Sequence, residues 1–120
     1  MRYFITASLI LWTSMAHTYE IEAKTEFNVE GATSTLEIIS TTDTAVFAPV
    51  IASFQATNPQ INVIYTAASS SQINTAIVED NAQFDIAISS AMDLQTKLAN
   101  DGYAQAFASV ATTLVPDWGT

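Results

Sequence analysis

The chain has 120 residues and a mass of 12.9 kDa, so it holds one domain at most; 49% hydrophobic residues and a mean hydropathy of +0.25 exclude a disordered acidic tail. Lys and Arg total 3 against 12 Asp and Glu, a net charge of −9 that argues against nucleic acid and against an anionic membrane surface, because both demand a basic face. With no cysteine and one histidine, His17, the chain lacks disulfides, thiolate metal sites, cysteine nucleophiles and a His-rich metal site, so no cofactor and no metal is expected.

Met1-Arg2 is a short basic start, and Tyr3 to Trp12 is an apolar run. Ser14-Met15-Ala16 then places small residues where signal peptidase cuts. Residues 1–16 are therefore expected to be a secretory signal peptide. The run is about half the roughly 20 residues a membrane span needs, so no membrane insertion is expected after cleavage. His17, at the new chain end, receives no role. Residues 17–34 are acidic, with Glu20, Glu22, Glu26 and Glu30. Alternation over Thr18 to Ala23 would allow a short strand, but a solvated N-terminal arm is the reading adopted.

From Thr35 the pattern alternates between strand and helix. Leu36 to Ile39 reads as a strand, followed by the capping residues Ser40 to Asp43. Val46, Phe47, Val50, Ile51 and Phe54 recur at helical spacing over 44–57. Pro49 suits a first turn, which puts the helix start near Ala48. Ile61 to Ala67 is a second strand, and Gln72 to Asn81 a helix with Ile73, Ala76 and Ile77 on one face. Phe84 to Ile88 is a short apolar third strand. Ser89-Ser90 should cap a helix over 92–100, with Leu94 and Leu98 inward and Gly102 just past its end. Tyr103 to Phe107 could begin another strand. Phe54, Tyr65 and Phe84 are core candidates, and Tyr103 an anchor. The fold class is α/β, with a parallel βαβαβα sheet covered on both faces.

Three loops then follow the carboxyl ends of parallel strands, where open α/β sheets bind ligands. They supply Thr41, Thr42 and Asp43, then Ser69, Ser70 and Ser71, then Ser89 and Ser90. Each loop feeds a helix N-terminus, so hydroxyls and unpaired amides would meet at one rim suited to an oxyanion or a polyhydroxylated solute. Helix capping alone also explains such residues. Asp43 is read as a simple N-cap and Asp93 as a first-turn carboxylate; either, if aimed at the ligand, would favour a cation or sugar hydroxyls instead. Asp85 lies inside a strand and needs a partner or a solvated edge. The chain has no G-x-S-x-G, P-loop, G-x-G-x-x-G or H-E-x-x-H motif, and serine catalysis would have only His17 as base. No enzymatic activity is expected.

The segment from Leu36 to about Trp118 resembles the first part of bacterial extracellular solute-binding proteins, nearest to the ferric-iron and molybdate receptors of ABC importers. The likeness is carried by an ordered set: a strand, a helix ending in F-x-x-x-N-P at Phe54 to Pro59, I-N-V-I-Y at 61–65, a Ser-rich loop, F-D-I-A-I-S-S at 84–90 and L-A-N-D-G-Y at 98–103. The resemblance implies the first lobe of a two-lobed periplasmic receptor, apparently truncated. It also implies a small-molecule or ion ligand delivered to an inner-membrane ABC permease, and a monomer. The three hydroxyl-rich loops fall where that family's first-lobe ligand loops lie. Ferric receptors of the group often carry a His and a Glu where this chain has Thr41-Thr42 and Ser90-Ala91, which speaks against ferric iron. The alternatives are a periplasmic sensing module for a two-component system, a hydrolase with its catalytic groups elsewhere, and a fragment without function.

Overall fold

The computed structural model describes residues 19–116; the expected leader over 1–16 and His17 lie outside them. Four strands, β1 (Ala23–Phe27), β2 (Ser34–Ser40), β3 (Ile61–Ala67) and β4 (Ile86–Ile88), form one sheet in the order β1-β3-β2-β4. Helices α1 (Thr44–Thr57), α2 (Ser70–Val78) and α3 (Met92–Asn100) follow β2, β3 and β4. β2 runs parallel to β3, from Ser34 opposite Ile61 to Ser40 opposite Ala67, and parallel to β4 on its other side. The expected βαβαβα core is therefore present.

Side chains alternate across the sheet, so neighbouring residues enter different layers. Ile38, Val63, Tyr65 and Ala67 face α1 and pack with Ile51, Phe47 and Phe54. Ile39 and Ala68 face the other way and pack with Ile73 and Ala76 of α2, joined by Tyr19, Ile77 and Phe84. Both faces are covered, which is why β3 reads as a nearly continuous apolar run. Burial raises the Tyr19 hydroxyl above its ordinary pKa, helped by the negative charges of Asp80 and Glu37.

The N-terminal stretch corrects the reading of a solvated arm. Ala23 to Phe27 pairs antiparallel with β3, Ala23 opposite Ala67 and Phe27 opposite Val63, so the sheet is mixed at this edge. β3 would otherwise present a full row of unpaired backbone groups. Phe27 anchors the strand by packing on the α1 side of the core. The carboxamide of Gln55 in α1 reinforces it, donating to the Phe27 carbonyl at 2.8 Å and the Ile61 carbonyl at 3.0 Å. Gln55→Leu is expected to cost about 1–3 kcal/mol in a denaturant titration, since two carbonyls lose their donor while the volume is kept. A change within about 0.5 kcal/mol would show that water replaces both bonds.

Further boundaries differ from expectation: β2 is longer at both ends, α2 begins at Ser70 rather than Gln72, and three more have a visible cause. Helix α1 starts at Thr44, a turn before Ala48, with the Asp43 carbonyl accepting from Val46 and Phe47. Pro49 therefore lies inside the helix, where it cannot donate to the Ala45 carbonyl. Both residues are exposed, so water can satisfy that carbonyl. Helix α2 stops at Val78 rather than Asn81: Glu79 and Asp80 both donate to the Thr75 carbonyl, and Asn81 turns left-handed at φ 56°. Strand β4 begins only at Ile86, because the Asp85 carboxylate accepts from the Glu37 amide at 2.8 Å in place of a ladder carbonyl. That bond, with solvent beside it, answers the charge.

Helix α3 spans the expected residues and closes with Gly102 at φ +87°. Gly102 donates to the Ala99 carbonyl and Tyr103 to the Leu98 carbonyl, the paired bonds of a Schellman motif. The strand expected over 103–107 is absent. That stretch pairs with no strand among the described residues, and Tyr103 is exposed rather than an anchor. A 3-10 turn over Val110–Leu114 follows, started by Ser109, whose hydroxyl accepts from the Ala111 amide.

Candidate functional site

β2, β3 and β4 run parallel, so their carboxyl ends reach the same edge of the sheet, and the three loops meet there. Direct hydrogen bonds join each loop to the other two. The Ala68 amide donates to the Ser40 carbonyl at 2.9 Å, tying the second loop to the first. The Thr41 amide donates to the Ile88 carbonyl at 3.0 Å, and the Ser90 amide donates to the Thr41 hydroxyl at 3.2 Å, tying the first to the third. The Ser89 hydroxyl donates to that of Ser70 at 3.1 Å, which closes the triangle.

Within each loop the local chemistry is that of helix starts. Ser69 is the N-cap of α2 and its hydroxyl accepts from the Gln72 amide at 3.3 Å. It also shares a 3.0 Å hydrogen bond with Ser71, and both residues are exposed. The Ser89 hydroxyl accepts from the Ala91 amide at 3.1 Å. Ala91, not Ser89 or Ser90, occupies the N-cap position of α3, so Ser89 braces that helix start from two residues further back. Asp43 corrects its reading as an N-cap side chain: it holds the position, but its exposed carboxylate makes no cap hydrogen bond, and its carbonyl does the work. Asp93 lies in the first turn of α3, as expected.

Two residues hold the rim through bonds that the sequence pattern does not show. Ser40 is fully buried, and its hydroxyl accepts from the Thr42 amide at 3.0 Å. Tyr65 is fully buried as expected of core, yet its hydroxyl donates to the Thr42 carbonyl at 2.8 Å. Periodicity points only to the ring; the reach of the hydroxyl depends on how α1 leaves β2. Thr44, in the first turn of α1, has a buried hydroxyl with no hydrogen-bond partner among the described residues.

No Lys or Arg occurs in the three loops. The rim therefore offers hydroxyls, main-chain amides and the positive ends of three helices. Such a set can hold a small solute by hydrogen bonds; it includes the exposed Asp43 carboxylate but no cationic side chain. Among the described residues no group of three or more His, Asp or Glu is placed to hold a metal ion, and no helix is long and apolar enough to cross a membrane. A recess of about 170 Å³ beside α1 is lined only by apolar residues, Phe47, Val50 and Ile86 among them, and gives a polar solute nothing to bind.

No curated protein matches the chain. Among solved structures, the crystal structure of the substrate binding protein of the ABC transporter from Agrobacterium tumefaciens matches with a TM-score of 0.75 and 34% sequence identity. The match covers 82% of this chain and 31% of that one, so this chain spans under a third of that relative's length. Residues 36–115 match the family model described as bacterial extracellular solute-binding protein. That span takes in all three rim loops and most of the sheet, and the chain belongs to the bacterial extracellular solute-binding protein family.

Proposed function

We propose that this chain forms a ligand-facing lobe of a periplasmic solute-binding protein that captures a small polar solute for an ABC importer. The observation that carries this reading is the closed set of hydrogen bonds among the three loops, above all Ser89 to Ser70 and Ser90 to Thr41. It holds hydroxyls and amides from three chain segments on one rim, within a segment that matches the family model. Thr41, Thr42, Asp43, Ser69, Ser70, Ser71, Ser89 and Ser90 are the proposed contact residues. Hydroxyls and helix N-termini favour an oxyanion, a phosphorylated compound or the anionic part of a ferric complex. The role is binding and not catalysis, in keeping with the family and with the relative from Agrobacterium tumefaciens, both described as binding proteins. The leader pattern at residues 1–16 supports export to the periplasm, where delivery to an inner-membrane permease would follow.

The test is thermal unfolding of the 120-residue chain with molybdate, sulfate, phosphate, a sugar phosphate and ferric citrate in turn. A solute that binds the native state is expected to raise the midpoint, by the equivalent of about 2.7 kcal/mol at a hundred times its Kd. Loss of that rise in Ser70→Ala and Ser89→Ala would place it at the rim. No rise with any of the five at millimolar concentration would overturn the reading.

A further inference from the structure

We infer that the Gln72 carboxamide is a latent competitor for the Ser69 amide of the rim, held away from its own helix cap by the N-terminal strap over 19–22; this rests on the function proposed above. Ser69-x-x-Gln72 has the spacing of a capping box, in which the residue three past the N-cap would reach back to the N-cap amide. Half of that box is present: the Gln72 amide donates to the Ser69 hydroxyl. The other half is diverted. The Gln72 carboxamide oxygen instead accepts from the Glu20 amide at 2.7 Å. The strap is fixed on either side of this bond, by the Tyr19 amide donating to the Asp80 carboxylate at 3.0 Å and by the Glu22 amide donating to the Ala67 carbonyl at 2.8 Å. Tyr19 also packs against the α2 side of the core.

The consequence falls on Ser69, an exposed residue of the second rim loop. While the strap occupies Gln72, the Ser69 amide stays open to a solute. When the Glu20 amide is withdrawn, the same oxygen can turn back and take the Ser69 amide, competing with the solute for it. The strap and the solute thereby favour the same arrangement of α2.

Proline at position 20 removes the donor and leaves Gln72 intact. Water-exchange NMR on the full chain is expected to show the Ser69 amide exchanging about fivefold more slowly in Glu20→Pro than in the wild type, as a newly formed cap bond requires. Glu20→Pro with Gln72→Ala should lose that slowing. Gln72→Ala alone should expose the Glu20 amide to exchange, and Gln72→Glu, which keeps an acceptor, should preserve its protection. Molybdate or sulfate, where either binds the wild type, should bind several-fold more weakly to Glu20→Pro and nearly unchanged to Gln72→Ala. A Ser69 amide that exchanges no more slowly in Glu20→Pro, or slowing that persists in the double variant, would overturn the inference. Should Glu20→Pro fail to fold, a Glu20 amide equally protected in Gln72→Ala and the wild type would do the same. Failure of every oxyanion to bind the wild type would instead count against the proposed function, since the amide readouts need no solute.

Discussion

Tyr65→Ala is expected to destabilise the chain by about 3–5 kcal/mol, enough to unfold much of a domain this small. The side chain is fully buried in the centre of the sheet. Its ring stacks on Phe47 of α1 with centroids 5.2 Å apart and planes 20° from parallel. Removing it opens a cavity between sheet and helix and strips α1 of its aromatic contact. Tyr65→Phe separates packing from hydrogen bonding: it keeps the stack and deletes only the bond to the Thr42 carbonyl. That variant should lose about 0.5–1.5 kcal/mol and leave the Thr41 to Asp43 loop less protected in amide exchange than β2 itself. Equal stability in Tyr65→Phe and the wild type, measured by denaturant titration, would mean that the hydroxyl does not hold the loop.

Ser40→Ala is the second change with a large expected effect, about 1–3 kcal/mol. Ser40 has no exposed surface, and its hydroxyl is the acceptor for the Thr42 amide. Alanine removes that acceptor and leaves the Thr42 amide without its partner. The damage should centre on the first rim loop, with faster exchange of the Thr42 amide and weaker binding of any oxyanion that the wild type captures. Ser71→Ala is the matched control, since Ser71 is exposed and, among the described residues, its hydroxyl bonds only that of Ser69. It should stay within about 0.5 kcal/mol of the wild type. A Ser40→Ala protein as stable as Ser71→Ala would show that the Thr42 amide finds another acceptor.

Both predictions concern residues whose part in the rim is tertiary. Ser40 read as one member of a capping turn, and Tyr65 as core; neither reading indicated that together they hold Thr42 by its amide and its carbonyl. The polar clamp at Asp85 was equally hidden, because a carboxylate that replaces a ladder carbonyl leaves no periodic mark. Asp85 shortens β4 at its start, while Ile86 to Ile88 keep the alternation that made the strand visible.

What the amino-acid order determined by itself was the alternation of strand and helix from residue 35, the bounds of β3 and α3, and the arrival of three hydroxyl-rich turns at the ends of parallel strands. These follow from local signals: β-branched runs, helical spacing of apolar residues, and a glycine where only a left-handed residue closes the helix. Tertiary structure decided the rest. Ala23 to Phe27 became a strand because the open edge of β3 offered it backbone partners and Phe27 a place in the core, neither of which is near it in sequence. Pro49 entered a helix because burying Phe47, Ile51 and Phe54 outweighed one missing bond at a solvated carbonyl. Tyr103 to Phe107 had the composition of a strand but pairs with none among the described residues. A strand is a property of two chain segments, so one segment's sequence can propose it but cannot complete it.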